Sequence, residues 1–146
     1  LAHLHKYALS GVSQVRNFPG KCASTDQLQT KGCLDAYFSM FSIDSSTTLP
    51  EFLEYSAKTN SIIRLYGVAG MDIYCNFEAT LESCLGPLMN SACMNPDSFT
   101  AMYGVNQTES IEYATSFQVE SYTCQNIDIS KKYFDCMNGI DADHFQ

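Results

Sequence analysis

The sequence predicts an all-α fold, a disulfide-stapled bundle of about five to seven helices. Apolar residues recur at spacings of three and four in segment after segment, which is the period of one helix face. Proline and glycine fall mostly between those segments. Seven cysteines (Cys22, Cys33, Cys75, Cys84, Cys93, Cys124 and Cys136) are spread along 146 residues without a C-x-x-C pair. They read as a disulfide framework and not as a zinc knuckle, which takes two close ligands from one turn.

The elements follow in order. In residues 2–17, Leu4, Tyr7, Ala8, Val12 and Val15 form a helix face, weakened by Gly11 and ended by Asn17-Phe18-Pro19-Gly20. Ser24 with Gln27 matches a capping box, and Asp26 stands where a carboxylate favours the helix dipole. That helix is expected to run to about Ser42, with Leu34, Tyr37, Phe38 and Phe41 as its stripe and Gly32 as a weak point. Pro50 and Glu51 suit the first turn of the next, which carries Phe52, Tyr55, Ile62, Ile63 and Tyr66 and closes at Gly67. Another begins near Gly70, presents Ile73, Phe77, Leu81, Cys84 and Leu85, and stops at Gly86-Pro87. Short helices are expected over 88–93 and 96–103, the second capped by Gly104. Residues 109–124 are ambiguous. Ile111, Tyr113, Thr115, Phe117 and Val119 alternate as in a strand, whereas Ile111, Ala114, Phe117 and Ser121 fit a helix, and the helical surroundings favour the helix. The last helix begins after Asp128, carries Tyr133, Phe134 and Met137, and stops at Asn138-Gly139-Ile140.

Cysteine placement has a geometric consequence. Cys75 and Cys84 lie nine residues apart on one predicted helix. At about 100° and 1.5 Å per residue they face opposite sides, about 13 Å apart, too far for a disulfide. That helix is therefore expected to be a strut tied to two neighbours. Cys22, Cys33, Cys124 and Cys136 also pair with remote partners on this reading, although about 105 pairings stay open. Seven is odd, so one thiol is unpaired or bonds a partner chain.

Cys22, Cys33, the run Tyr37-Phe38, Cys75-Asn76-Phe77, Ser83-Cys84-Leu85, Cys93, Tyr122-Thr123-Cys124 and Phe134-Asp135-Cys136 follow one another in an order that resembles a class of secreted, cysteine-rich helical invertebrate domains, of which the nematode-expanded domain of unknown function 19 is the nearest named type. The resemblance covers roughly residues 22–138. It implies a secreted helical domain and no established activity, and it assigns no functional residue.

Disulfides persist in oxidising compartments. The sequon Asn106-Gln107-Thr108 marks Asn106 as a glycan acceptor, meaningful only on the secretory route. The chain is thus expected to be one secreted domain over residues 1–146. The start LAHLHKYALSG lacks the apolar core of a signal peptide, so such a peptide is expected upstream. No run approaches the roughly 18 apolar residues of a membrane span. The net charge is −8, and Leu65 to Ser130 holds eight carboxylates with no Lys or Arg. Such a surface repels phosphate backbones, which argues against nucleic acid. A solvated acidic face is the plain reading of this bias, and recruitment of cations or a basic partner is the other.

Catalytic motifs for nucleophilic, phosphate or zinc chemistry are missing. The three histidines, His3, His5 and His144, sit near the ends. Glu78 and Glu82, one turn apart, imitate a glycosidase pair but are expected to face water. No cofactor is expected. One metal idea attaches to a free amino terminus, where Leu1 and His3 could hold Cu(II) or Ni(II) in a square plane. The expected function is non-enzymatic and extracellular, acting through protein–protein interaction or structural assembly, for which the odd cysteine offers an intermolecular disulfide. The alternative is a carrier of a small lipophilic ligand held between helices among the many Tyr, Phe and Met side chains.

Overall fold

The computed structural model describes residues 17–134, and every regular element within them is helical. Helices α1 (Ser24–Met40), α2 (Phe52–Tyr66), α3 (Val68–Leu85), α4 (Pro96–Tyr103) and α5 (Gln107–Gln125) are followed by α6, residues 127–134. Two 3-10 turns, Gly86–Asn90 and Ala92–Met94, stand where one short helix was expected over 88–93. The helix expected over 2–17 and the stop at 138–140 lie outside the described residues. The ambiguous segment 109–124 is helical throughout, inside α5.

The predicted starts of α1 and α2 are displaced, each for a physical reason. The expected capping box at Ser24 does not form. Ala23 is the N-cap, held extended at ψ 153° next to the Cys22–Cys93 disulfide, so helical geometry begins only at Ser24. The Gln27 amide donates instead to the Cys22 carbonyl at 3.3 Å. Pro50 stands before α2 and not in its first turn. No side chain from α2's own start caps it. Glu109 of α5 reaches across, its Oε2 accepting the Phe52 N–H at 2.7 Å, and the Tyr113 hydroxyl donates to the Pro50 carbonyl at 2.7 Å. A carboxylate at a helix N-terminus satisfies an orphan donor and opposes the dipole, so α5 fixes where α2 begins.

The α2–α3 corner depends on two glycines. Gly67 turns the chain at φ 60°, ψ −136°, a conformation that side chains with a Cβ rarely adopt. Helix α3 then starts at Val68, earlier than the expected Gly70, because Gly70 serves a different purpose. A Cβ at Gly70 would lie 2.6 Å from the Ile62 carbonyl oxygen and 2.9 Å from the Ile63 Cα. Both obstacles are backbone, so Gly70→Ala is expected to wedge α2 from α3 and cost about 1–3 kcal/mol. Gly32 is exposed in the middle of α1 with nothing within 4 Å of its would-be Cβ. Gly32→Ala should stabilise by about 0.5–1 kcal/mol. Urea midpoints moving in opposite directions for the two variants would bear this out.

The core is aromatic. Phe38 of α1 sits edge-on to Tyr55, Tyr113 and Phe117 at centroid distances of 5.5 to 6.1 Å, and Phe99 of α4 stacks on Tyr113 and Phe117. Such pairs contribute about 0.5–1.5 kcal/mol each beyond their buried area. The inward face of α3 differs from the predicted stripe. Gly70, Met71, Tyr74, Glu78, Leu81 and Leu85 are buried, while Ile73 and Phe77 are only partly so. At the periphery Lys131 of α6 pairs with Asp72 of α3 at 2.8 Å. Asp35 of α1 accepts hydrogen bonds from Lys31, Ser45 and Tyr103 at 2.6 to 2.8 Å, tying α1 to the loop after it and to the end of α4.

Candidate functional site

Three disulfides join the helices: Cys22–Cys93, Cys33–Cys84 and Cys75–Cys124, at sequence separations of 71, 51 and 49. Helix α3 is the expected strut, bound to α1 through Cys84 and to α5 through Cys75. Cys22–Cys93 fastens the segment before α1 to the second 3-10 turn. The seventh cysteine, Cys136, lies outside the described residues, as do Leu1, His3, His5 and His144. No described helix is long and apolar enough to cross a membrane.

Between α1, α2, α3 and α5 the interior holds two carboxyl groups. Glu120 of α5 is 1% exposed. Its Oε1 accepts from the Tyr55 hydroxyl at 2.9 Å and from Ser116 at 2.8 Å, and its Oε2 from Tyr37 at 3.4 Å. Tyr37 and Tyr55 also bond to one another at 3.2 Å. Burial pushes the Glu120 carboxyl up to about 7, although Tyr74, Ser116, Tyr55 and Tyr37 stabilise its charge and pull the other way. The same burial, with the negative charge of Glu120, raises the Tyr37, Tyr55 and Tyr74 phenols far above their ordinary range.

Glu78 corrects a sequence expectation. It does not face water with Glu82: it is 3% exposed on the inward face of α3, and its Oε1 has no hydrogen-bond partner. Burial, then the proton shared with Glu82 and the charges of Glu82 and Glu120, push it up to about 8. The buried Tyr74 hydroxyl, one turn before it, also lacks a partner of good geometry. Sequence reasoning missed this centre. The available signal was positional, since Ser116 and Glu120 continue the helical row of Tyr113, and Tyr74 and Glu78 that of Met71.

Two surface features lie apart from this buried centre. Asn106 is exposed and forms the N-cap of α5, its Oδ1 accepting the Glu109 N–H at 2.8 Å. A glycan attaches to Nδ2, so the cap is compatible with glycosylation. The other feature is a cleft of about 340 Å³ between α5, the first 3-10 turn and the segment carrying Phe18. Neither Glu78 nor Glu120 lines it. Among the described residues no group of three or more His, Cys, Asp or Glu is placed to hold a metal ion.

Comparison with family models, curated proteins and solved structures finds no match.

Proposed function

We propose that this chain is a secreted, non-enzymatic protein that acts through its surface, in an assembly or by binding another protein, and that it belongs with the secreted cysteine-rich helical domains it resembles. The observation that carries the reading is the pairing of six cysteines across gaps of 49 to 71 residues. Such bonds persist where thiols are not kept reduced, and they leave one of the seven cysteines for a partner chain. The acids with raised proton affinity support a non-enzymatic role. A general acid must reach its substrate, and Glu78 and Glu120 lie beneath the surface, away from the cleft.

The test is expression through a secretory route. Alkylation of the untreated, denatured protein is expected to label at most one thiol, and to label seven after reduction. A disulfide-linked dimer on non-reducing gels would support assembly through Cys136. Treatment with a peptide N-glycosidase should lower the mass of the wild type but not of Asn106→Asp, which keeps an oxygen acceptor for the helix cap. Asn106→Ala loses glycan and cap together and about 1 kcal/mol of stability. Seven thiols labelled without reduction would overturn the extracellular reading.

The cleft favours a second reading, that of a carrier for a small lipophilic molecule. Its volume falls at the low end of small-molecule sites, roughly 300–1,000 Å³.

A further inference from the structure

We propose that the cleft beside α5 binds a small lipophilic amine, with its apolar body among Phe18, Phe117, Met89 and Met94 and its ammonium group at the Ser121–Gln125 end. The inference rests on the carrier reading and adds the ligand's chemistry.

The cleft is built and held. Its floor, Met94, Ala114 and Phe117, belongs to the buried interior. One wall is Phe18, whose backbone is clamped on both sides: its N–H donates to Asn95 Oδ1 at 2.9 Å, and the Asn95 amide donates back to the Phe18 carbonyl at 2.8 Å. The Cys22–Cys93 bond fastens the same segment four residues later. The opposite wall is α5, anchored to α3 by Cys75–Cys124. A preformed wall lowers the ordering cost of binding. At roughly 30 Å³ per water, about 340 Å³ holds about eleven waters, the room needed by a ligand of one or two rings.

The hydrogen bonds at one end run in a single direction. The Ser121 hydroxyl donates to Glu82 Oε1 at 2.9 Å, and the Gln125 side-chain amide donates to Ser121 Oγ at 3.3 Å. Ser121 has thus spent its only proton and keeps acceptor capacity, while Gln125 keeps its carbonyl oxygen. This end of the cleft asks for a donor. Behind Ser121 stands a carboxylate, Glu82, which strengthens the oxygen as an acceptor.

Charge also favours a cation. Among the described residues no Lys or Arg lines the cleft. Every lining residue except Phe18 lies within the stretch from Leu65 to Ser130, which contains eight carboxylates and no Lys or Arg. A carboxylate-bearing lipid would enter without a counter-charge, whereas a cation is attracted by the field. The Tyr122 ring, which lines the cleft next to Ser121 in the chain, adds a quadrupole that favours a cation over a neutral group.

The experiment compares three probes of nearly equal size by calorimetry or ligand-observed NMR: 2-phenylethylamine, 2-phenylethanol and phenylacetate, all at pH 6.5. The amine is expected to bind at least about fivefold tighter than the alcohol at 10 mM salt, with phenylacetate weakest and the amine's advantage shrinking at 300 mM as charges are screened. Ser121→Ala and Gln125→Leu should each weaken the amine severalfold and leave the alcohol nearly unchanged. Tyr122→Ala, at a half-exposed position, should weaken the amine without disturbing the fold. Equal binding of amine and alcohol would overturn the amine assignment while the carrier reading stands. Absence of binding by all three would remove both.

Discussion

The folded protein should be more stable at pH 5 than at pH 8, with a thermal midpoint lower by on the order of 10 °C at the higher pH. The cause is the pair of buried carboxyls. Glu78 rises from 4.5 to about 8 and Glu120 from 4.5 to about 7 on folding. Both groups hold their protons more tightly in the native state than in the unfolded chain. Between about pH 5 and pH 7 the native state therefore carries up to two extra protons, and stability falls by about 1.4 kcal/mol per pH unit for each. The contribution is complete below the unfolded value and is lost as pH rises through 7 and 8. The described groups around the pair include Tyr37, Tyr55 and Tyr74 with Ser116 and Glu82, and none of these is a cation. Asp35 works in the opposite direction. Burial raises it, but its bonds from Lys31, Ser45 and Tyr103 prevail and hold it below the usual range, so its stabilisation fades as pH falls through that lowered value. A stability maximum near pH 5 follows. Glu78→Gln keeps the shape and removes the ionisation. It should raise the midpoint at pH 8, change it little at pH 5, and roughly halve the slope between them. A Glu78→Gln variant less stable than wild type at pH 8 would show that the ionised carboxylate is tolerated, and the account would be wrong.

The helical architecture was legible because period and punctuation agree over most of the chain. Helix α4 falls on the predicted residues 96–103, with Gly104 as its left-handed cap. The strut role of α3 followed from nine-residue arithmetic and holds in the pairs Cys33–Cys84 and Cys75–Cys124. What failed was the choice of face. On α3 the reading followed Ile73 and Phe77 because they are apolar, and it put Glu78 outside because it is charged. The structure turns Met71, Tyr74 and Glu78 inward, since both flanking cysteines must face their partners and Gly70 must meet α2 without a side chain. Three constraints on rotation outweigh the preference of one carboxyl for water, which is met partly by keeping its proton. Helix starts were misplaced for a related reason. Phe52 is capped by Glu109, 57 residues away, and no local pattern records that contact.

Reduction of all three disulfides is expected to unfold the protein at 25 °C. Closing loops of 49 to 71 residues removes about 4 kcal/mol of unfolded-state freedom each in the chain-entropy account, and the three together match the roughly 5–15 kcal/mol that stabilises a typical domain. Far-ultraviolet circular dichroism with and without a phosphine reductant reads the outcome. A reduced chain that keeps its helical signal and melts within a few degrees of the oxidised one would refute the expectation. The three bonds differ little in loop entropy, because that grows only with the logarithm of length. Their individual effects should therefore follow what each holds. Cys33–Cys84 and Cys75–Cys124 clamp opposite sides of α3 around Glu78, so paired alanine replacement at either should lower global stability by about 3–4 kcal/mol. For Cys75–Cys124 the pH dependence should also flatten, because α3 and α5 can then separate and hydrate Glu78 and Glu120, lowering their proton affinity. Cys22–Cys93 fastens only the segment before α1. Its removal should leave the pH slope intact and instead loosen Phe18 and weaken ligand binding in the cleft. Flattening in the first variant but not the second would tie the buried acids to the α3–α5 contact, and equal slopes in both would separate them.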